Sequence, residues 1–309
     1  MGEWSRRVGE IGEEIVGDLL QLFGWENAKR NVTIDCLKNE KHARPSSEKR
    51  ATHGIDCLFT YPSQLQARVL DHLLISSKYT SDKYPDSPST QFKSHLRDLS
   101  ETMECFKFSG AKLAANKSFS GIESTRDIGI LFWLSDGSEA DHDLVSKLIN
   151  VRNVDEFMTE TVYVVDNYRA SFIYDTITAT KFNYNNSIIE FLYFNTGINY
   201  NPALRDSSGS ILPVDYLNSN ILPLKLIDPD GNKKLVLAIN ENFSRNRLMR
   251  SIGLCQELTS DFASGVDIIF PDFNKLKHEN DVYEAKLHFT DQRFVGNIEV
   301  RSIKKDFRR

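Results

Sequence analysis

Residues 128–134, Ile-Gly-Ile-Leu-Phe-Trp-Leu, form the most apolar run of this chain. Seven residues are far too few to cross a bilayer, which takes roughly 20 in a helix. The run therefore predicts a buried strand, and the rest of the chain must build the layers that bury it.

Those layers can be read from periodicity. Residues 8–24 place Val8, Ile11, Ile15, Leu19, Leu22 and Phe23 at helical spacing, with Gly24 as the stop. Strands are predicted over 28–37, 54–61 and 68–80, with a polar, proline-bearing loop over 38–53 and a turn at Pro62-Ser63-Gln64. A long helix is predicted over 91–108, the buried strand over 127–135 and a short helix over 139–150. A strand at 162–165, a helix at 167–181 and a strand at 188–194 follow. Asn, Ser, Gly and Pro crowd residues 195–220, which suggests a domain boundary near Gly197–Ser210. Beyond it, Asp228-Pro-Asp-Gly231 predicts a hairpin between strands 221–228 and 234–240. Ser244 caps a helix to about Phe262, and strands are expected at 266–270 and 282–289 before a basic tail. The expectation is an α/β protein, a mixed sheet flanked by helices over 1–200 and a second α/β domain over 201–309.

A net charge of −5 withholds the simple argument from a basic chain to nucleic acid, although a groove can still concentrate cations. The N-terminus, MGEWSRRVGEIGEE, lacks the apolar core of a signal peptide, which predicts a cytoplasmic protein with no membrane partner. Cys36, Cys57, Cys105 and Cys255 form no CxxC pair and match no zinc spacing, so they are expected to be reduced core thiols. Trp4, Trp25 and Trp133 are expected in or near the core.

One set of residues carries chemistry. Hydrolysis of a phosphodiester needs neutralisation of developing charge and a strong nucleophile, and a carboxylate-bound Mg²⁺ with a neighbouring lysine supplies both. Glu13 lies on the first predicted helix, Asp56 opens the second strand in His53-Gly54-Ile55-Asp56, and Lys78 closes the third in Ile75-Ser76-Ser77-Lys78. A hairpin returns to its starting end, so Asp56 and Lys78 are expected to meet, with Ser76 and Lys78 on one face.

The segment GEEIVGDLLQLFGW, then GID, then a strand ending in xxK, then a helix and an apolar strand, resembles the core of the PD-(D/E)xK nuclease superfamily. That group includes Holliday-junction resolvases and restriction-type endonucleases, and the resemblance covers roughly residues 9 to 135. It implies a restriction-endonuclease-like fold, a metal-dependent DNA endonuclease and Mg²⁺ as cofactor, with Mn²⁺ as a substitute. It also implies Asp56 as principal metal ligand, Lys78 as catalytic lysine and Glu13 as a further acid. The departure is Ser76, where the family carries an acid. Some members move that acid to the next helix, where Glu101 and Glu104 are available; Asp71 lies farther back along the third strand.

Fold-level analogy to restriction or phage-defence subunits implies DNA and a sister nuclease subunit or a homo-oligomer as partners. Lys29, Arg30, Lys41, Arg44, Lys49 and Arg50, around the 38–53 loop, are candidates for gripping phosphate. The rival reading is a catalytically degenerate nuclease-fold subunit that binds DNA or a sister nuclease, and Ser76 favours it. A third is an unrelated α/β enzyme, in which Glu13, Asp56 and Lys78 would not converge. Asp136, Asp141, His142 and Asp143 read as a loop and helix cap rather than a metal cluster. The second half carries no catalytic signature; Arg245, Arg247 and Arg250 are expected on a charged surface helix, and recognition is the role left to it.

Overall fold

The computed structural model describes residues 2–44, 48–154, 160–198, 206–259, 263 and 265–302. The chain divides into two compact units, Met1–Ser171 and Phe172–Arg309.

The first unit opens with helix α1 (Gly2–Leu22), followed by β1 (Lys29–Asp35), β2 (Thr52–Pro62) and β3 (Val69–Thr80). Helices α2 (Ser89–Phe106) and α3 (Gly110–Asn116) lead to β4 (Ser124–Ser135), α4 (Val145–Leu148) and β5 (Val162–Val165). Helix α5 (Asn167–Asn183) contains the dividing point. The five-stranded sheet has the order β1-β2-β3-β4-β5. β1, β2 and β3 form an antiparallel meander, whereas β3, β4 and β5 run parallel. The change of direction at β3 follows from the connections: the short turn between β2 and β3 permits only an antiparallel partner, while α2 and α3 supply the crossover that the parallel β3–β4 pair needs.

The apolar run is the heart of this sheet. Ile130, Leu131 and Phe132 are wholly buried in β4, and Trp133 nearly so. On one face, Leu74, Leu131 and Trp133 pack against Leu96, Leu99, Met103 and Phe106 of α2. Helix α1 lies against β3 so closely that a Cβ at Gly12 would overlap that of Tyr79, and one at Gly17 would overlap the Arg30 guanidinium. Its buried face runs through Gly12, Val16, Gly17, Leu19, Leu20 and Phe23, whereas Ile11, expected inside, is exposed. The inward stripe is set as much by small residues that permit close approach as by large apolar ones.

Several expectations are corrected. Trp4 is 64% exposed, because α1 extends six residues ahead of its predicted start and carries Trp4 beyond the sheet's cover. The helix expected over 139–150 contracts to α4, since Asp143 accepts a hydrogen bond from the Ser146 N–H at 2.9 Å and starts a single turn there. Helix α3 has no counterpart among the elements predicted from periodicity.

In the second unit, β6 (Ile188–Leu192), β7 (Ser208–Gly209), β8 (Ile221–Ile227) and β9 (Lys233–Ile239) precede α6 (Arg245–Thr259). Then come β10 (Gly265–Phe270), α7 (Lys275–Leu287), α8 (Gln292–Gly296) and β11 (Ile298–Ser302). The sheet order is β11-β10-β9-β8-β6-β7, with β9, β10 and β11 parallel. The Asp228–Gly231 hairpin forms as expected, with Gly231 at φ +82. Residues 282–287 of the strand expected over 282–289 are instead the end of α7, whose first turn is capped by Asn274 accepting from the Lys277 N–H at 3.2 Å. Arg245 and Arg247 pair with Glu284 and Glu241 on a surface helix, and the end of the predicted α6 at 260–262 lies outside the described residues. Likewise, only Arg301 and Ser302 of the basic tail are described, and they close β11.

Candidate nuclease site

The β2–β3 ladder ends with Cys57 opposite Ile75. One step beyond, the strands part, and the Asp56 carboxylate takes up the freed backbone: Ser77 N–H donates to its Oδ2 at 2.7 Å. Asp56 is half-buried, as are Ser76, Ser77 and Lys78. Strand alternation puts Ser76 and Lys78 on the face that carries their β4 neighbours Leu131 and Trp133. That is the α2 face, and His95 of α2 lies over it, its ring edge-on to Trp133 at 5.2 Å between centroids. Burial, then the nearby Lys78 ammonium, pushes His95 down to about 4. Lys78 forms no ion pair among the described residues.

Glu13 is carried by α1 on the other side of the sheet. Gly12, its neighbour, packs on Tyr79, the residue after Lys78. Burial raises the Cys57 thiol, and the carboxylates of Asp56 and Glu13 both add to the rise, while Arg30 opposes it. Asp56 and the 76–78 segment are thus brought into contact, whereas Glu13 lies on α1, which docks on the face of β3 that carries Tyr79, and no contact of Glu13 with Asp56 or Lys78 occurs among the described residues. Glu13 itself is exposed.

The other acids have different neighbours. Arg50 Nη1 donates to Glu101 Oε2 at 3.2 Å. Glu104 accepts from Lys38, from Lys41 at 3.0 Å and from His42 Nε2 at 2.8 Å. Burial acts to raise Glu104, but those hydrogen bonds prevail and hold it down at about 2. Asp71 is wholly buried at the opposite end of β3, clamped by Arg126. Among the cations expected at phosphate, Lys29 and Arg30 lie on β1. Arg44 and Arg50 pair with Asp98, Lys41 with Glu104 and Lys49 with Glu40. A cavity of about 500 Å³ lined by Lys107, Lys112 and Arg126 opens at the start of β4, away from Asp56.

Sequence reasoning missed one grouping. Cys36, His42, His53 and Cys105 come together in the core, their ligating atoms all within 4.8 Å of one another. No local spacing announces it, because the four lie on β1's end, a loop, β2 and α2.

The family model for the GAPS4 protein PD-(D/E)XK nuclease domain matches residues 1–169. Among curated proteins and solved structures, none matches the chain. The match covers the whole first sheet and both edges of the Asp56–Lys78 fork, and the mixed α/β core is the architecture such nucleases use. PD-(D/E)XK nucleases generally act with divalent metals on nucleic acid. This chain therefore belongs to the GAPS4 PD-(D/E)XK nuclease family, its first 169 residues forming the nuclease domain.

Proposed function

We propose that the protein is a Mg²⁺-dependent DNA endonuclease of prokaryotic phage defence, with Asp56, Glu13 and Lys78 as its working groups. The observation that carries this reading is the fork where the Asp56 carboxylate, fixed by the Ser77 N–H, stands beside the segment that ends in Lys78. Hard carboxylate oxygens suit Mg²⁺, which keeps several waters and takes the rest of its shell from substrate phosphate. Ser76 adds no charge, so substrate phosphate carries more of that shell here. Asp56 and Glu13 would hold the cation, which supplies charge neutralisation and a more acidic bound water. The Ser77 N–H orients Asp56 and keeps one of its oxygens from rotating away. Lys78 positions the attacking water or stabilises charge on the scissile phosphate.

The second reading, a degenerate nuclease-fold subunit that binds DNA or a sister nuclease, is favoured by Ser76 and by the pairing of Glu101 and Glu104 with loop cations. Residues beyond about 200 are assigned to substrate or partner recognition, and the site of action to the cytoplasm. Plasmid cleavage separates the two readings. Wild type with Mg²⁺ or Mn²⁺ is expected to nick or linearise DNA, EDTA to stop it, and Lys78→Ala to slow it by about 10²- to 10⁴-fold. DNA binding with no metal-dependent cleavage would establish the second reading instead.

A further inference from the structure

We propose that Cys36, His42, His53 and Cys105 form a structural zinc site that fastens the 36–53 segment to α2. Nothing in this inference depends on the nuclease reading.

Three distances from His42 Nδ1 match those a tetrahedral ion imposes, and the remaining ones among the four ligand atoms all lie within 4.8 Å. With Zn–S of about 2.3 Å and Zn–N of about 2.05 Å, a tetrahedron sets neighbouring S and N atoms about 3.6 Å apart and two N atoms about 3.3 Å apart. Cys36 Sγ and Cys105 Sγ each lie 3.5 Å from His42 Nδ1. His53 Nε2 lies 3.2 Å from the same Nδ1. All four side chains are buried, His42 at 1% and His53 at 0% exposure, so water does not complete their bonding.

The hydrogen bonds around the cluster fix which atoms point inward. His42 Nε2 faces the Glu104 carboxylate at 2.8 Å, and a carboxylate only accepts, so the proton is on Nε2. The Thr102 hydroxyl donates to Asp98 O at 2.8 Å, which leaves its oxygen to accept from His53 Nδ1–H at 3.3 Å. In the neutral rings, Nδ1 of His42 and Nε2 of His53 therefore present lone pairs to each other. Two facing acceptors repel unless something positive stands between them. A proton on His42 Nδ1 could satisfy only one of its three neighbours, whereas a cation satisfies all four donors together.

The surroundings are those of a ligated metal. A histidine that binds metal with one nitrogen and donates to a carboxylate with the other has its ring fixed and its basicity raised, and Glu104 supplies that carboxylate. The Leu37 N–H donates to Cys105 Sγ at 3.3 Å, as suits a thiolate. Two sulfurs and two imidazoles match the preference of Zn²⁺, and four protein ligands leave no open position, so the site is structural rather than catalytic. It would hold His53, three residues ahead of Asp56, and the loop that carries Lys38, Lys41 and Lys49.

The test uses the full chain without a polyhistidine tag. Elemental analysis is expected to find about one zinc per chain. Replacement by Co²⁺ should give the intense visible bands of tetrahedral coordination and two thiolate charge-transfer contributions. Cys36→Ser and Cys105→Ser should lose the metal, Glu104→Gln should weaken its binding by about 10- to 100-fold, and Asp56→Ala should retain it in full. Wild type that is folded yet free of zinc, and that gives no tetrahedral cobalt spectrum, overturns the proposal. So does full zinc content in both cysteine variants. Should those variants not fold, the wild-type metal content and cobalt spectrum decide alone.

Discussion

Asp56→Ala is expected to cut metal-dependent cleavage by about 10³-fold or more while leaving the domain folded. The carboxylate is one of only two proposed for the cation, and metal stabilisation of transition-state charge is worth several kcal/mol. With an acid at position 76, a remaining ligand could sustain partial activity; Ser76 removes that reserve. The structural loss is small by comparison: one hydrogen bond from the Ser77 N–H to a half-buried side chain, about 1 kcal/mol. Thermal melting alongside the cleavage assay checks both halves. Cleavage that persists at the wild-type rate would show that Asp56 holds nothing the reaction needs.

Arg126→Ala is expected to destabilise the first unit by about 3 kcal/mol without touching the reacting groups. Asp71 is wholly buried, and its two oxygens accept from Arg126 Nε and Nη2, each at 2.7 Å. The two residues face one another across β3 and β4. Removing the guanidinium strips a buried carboxylate of its bidentate partner, a loss near the low end for buried pairs because the arginine is itself one-quarter exposed. Urea unfolding measures it. Asp71→Leu combined with Arg126→Met should recover most of the loss, since an apolar pair leaves no stranded charge. An unchanged urea midpoint in Arg126→Ala would mean that the pair contributes nothing.

Much of the first unit is legible in the sequence because its strands are unambiguous. Residues 54–61, 68–80 and 127–135 carry apolar runs bounded by turns, and each forms a strand within a few residues of the expected limits. The approach of Asp56 to the 76–78 segment can be read for the same reason, since a hairpin fixes which of its ends meet; the place of Glu13, on a separate helix, cannot. Where the expectations fail, the causes are physical. Tyr283, Ala285, Leu287 and Phe289 alternate with polar residues as in a strand, yet the first three lie in α7, started by its Asn274 cap, and of the helix only Ala285 is fully buried. The buried face of α1 differs from the expected one because hydrophobicity does not register a glycine that is needed for close approach. The Cys/His cluster is invisible in the sequence because Cys36 and Cys105 stand 69 positions apart (105 minus 36), brought together by the packing of α2 on the sheet.

The loop between β1 and β2 carries its counterions with it. Lys38 and Lys41 lean on Glu104, Arg44 on Asp98, and Arg50 on Asp98 and Glu101. A polyanion that docks here displaces these tethered carboxylates as well as dissolved salt ions. Fewer free ions are then released per contact than the loop's formal charge suggests, so association through it should weaken less steeply with ionic strength than that of a bare basic arm.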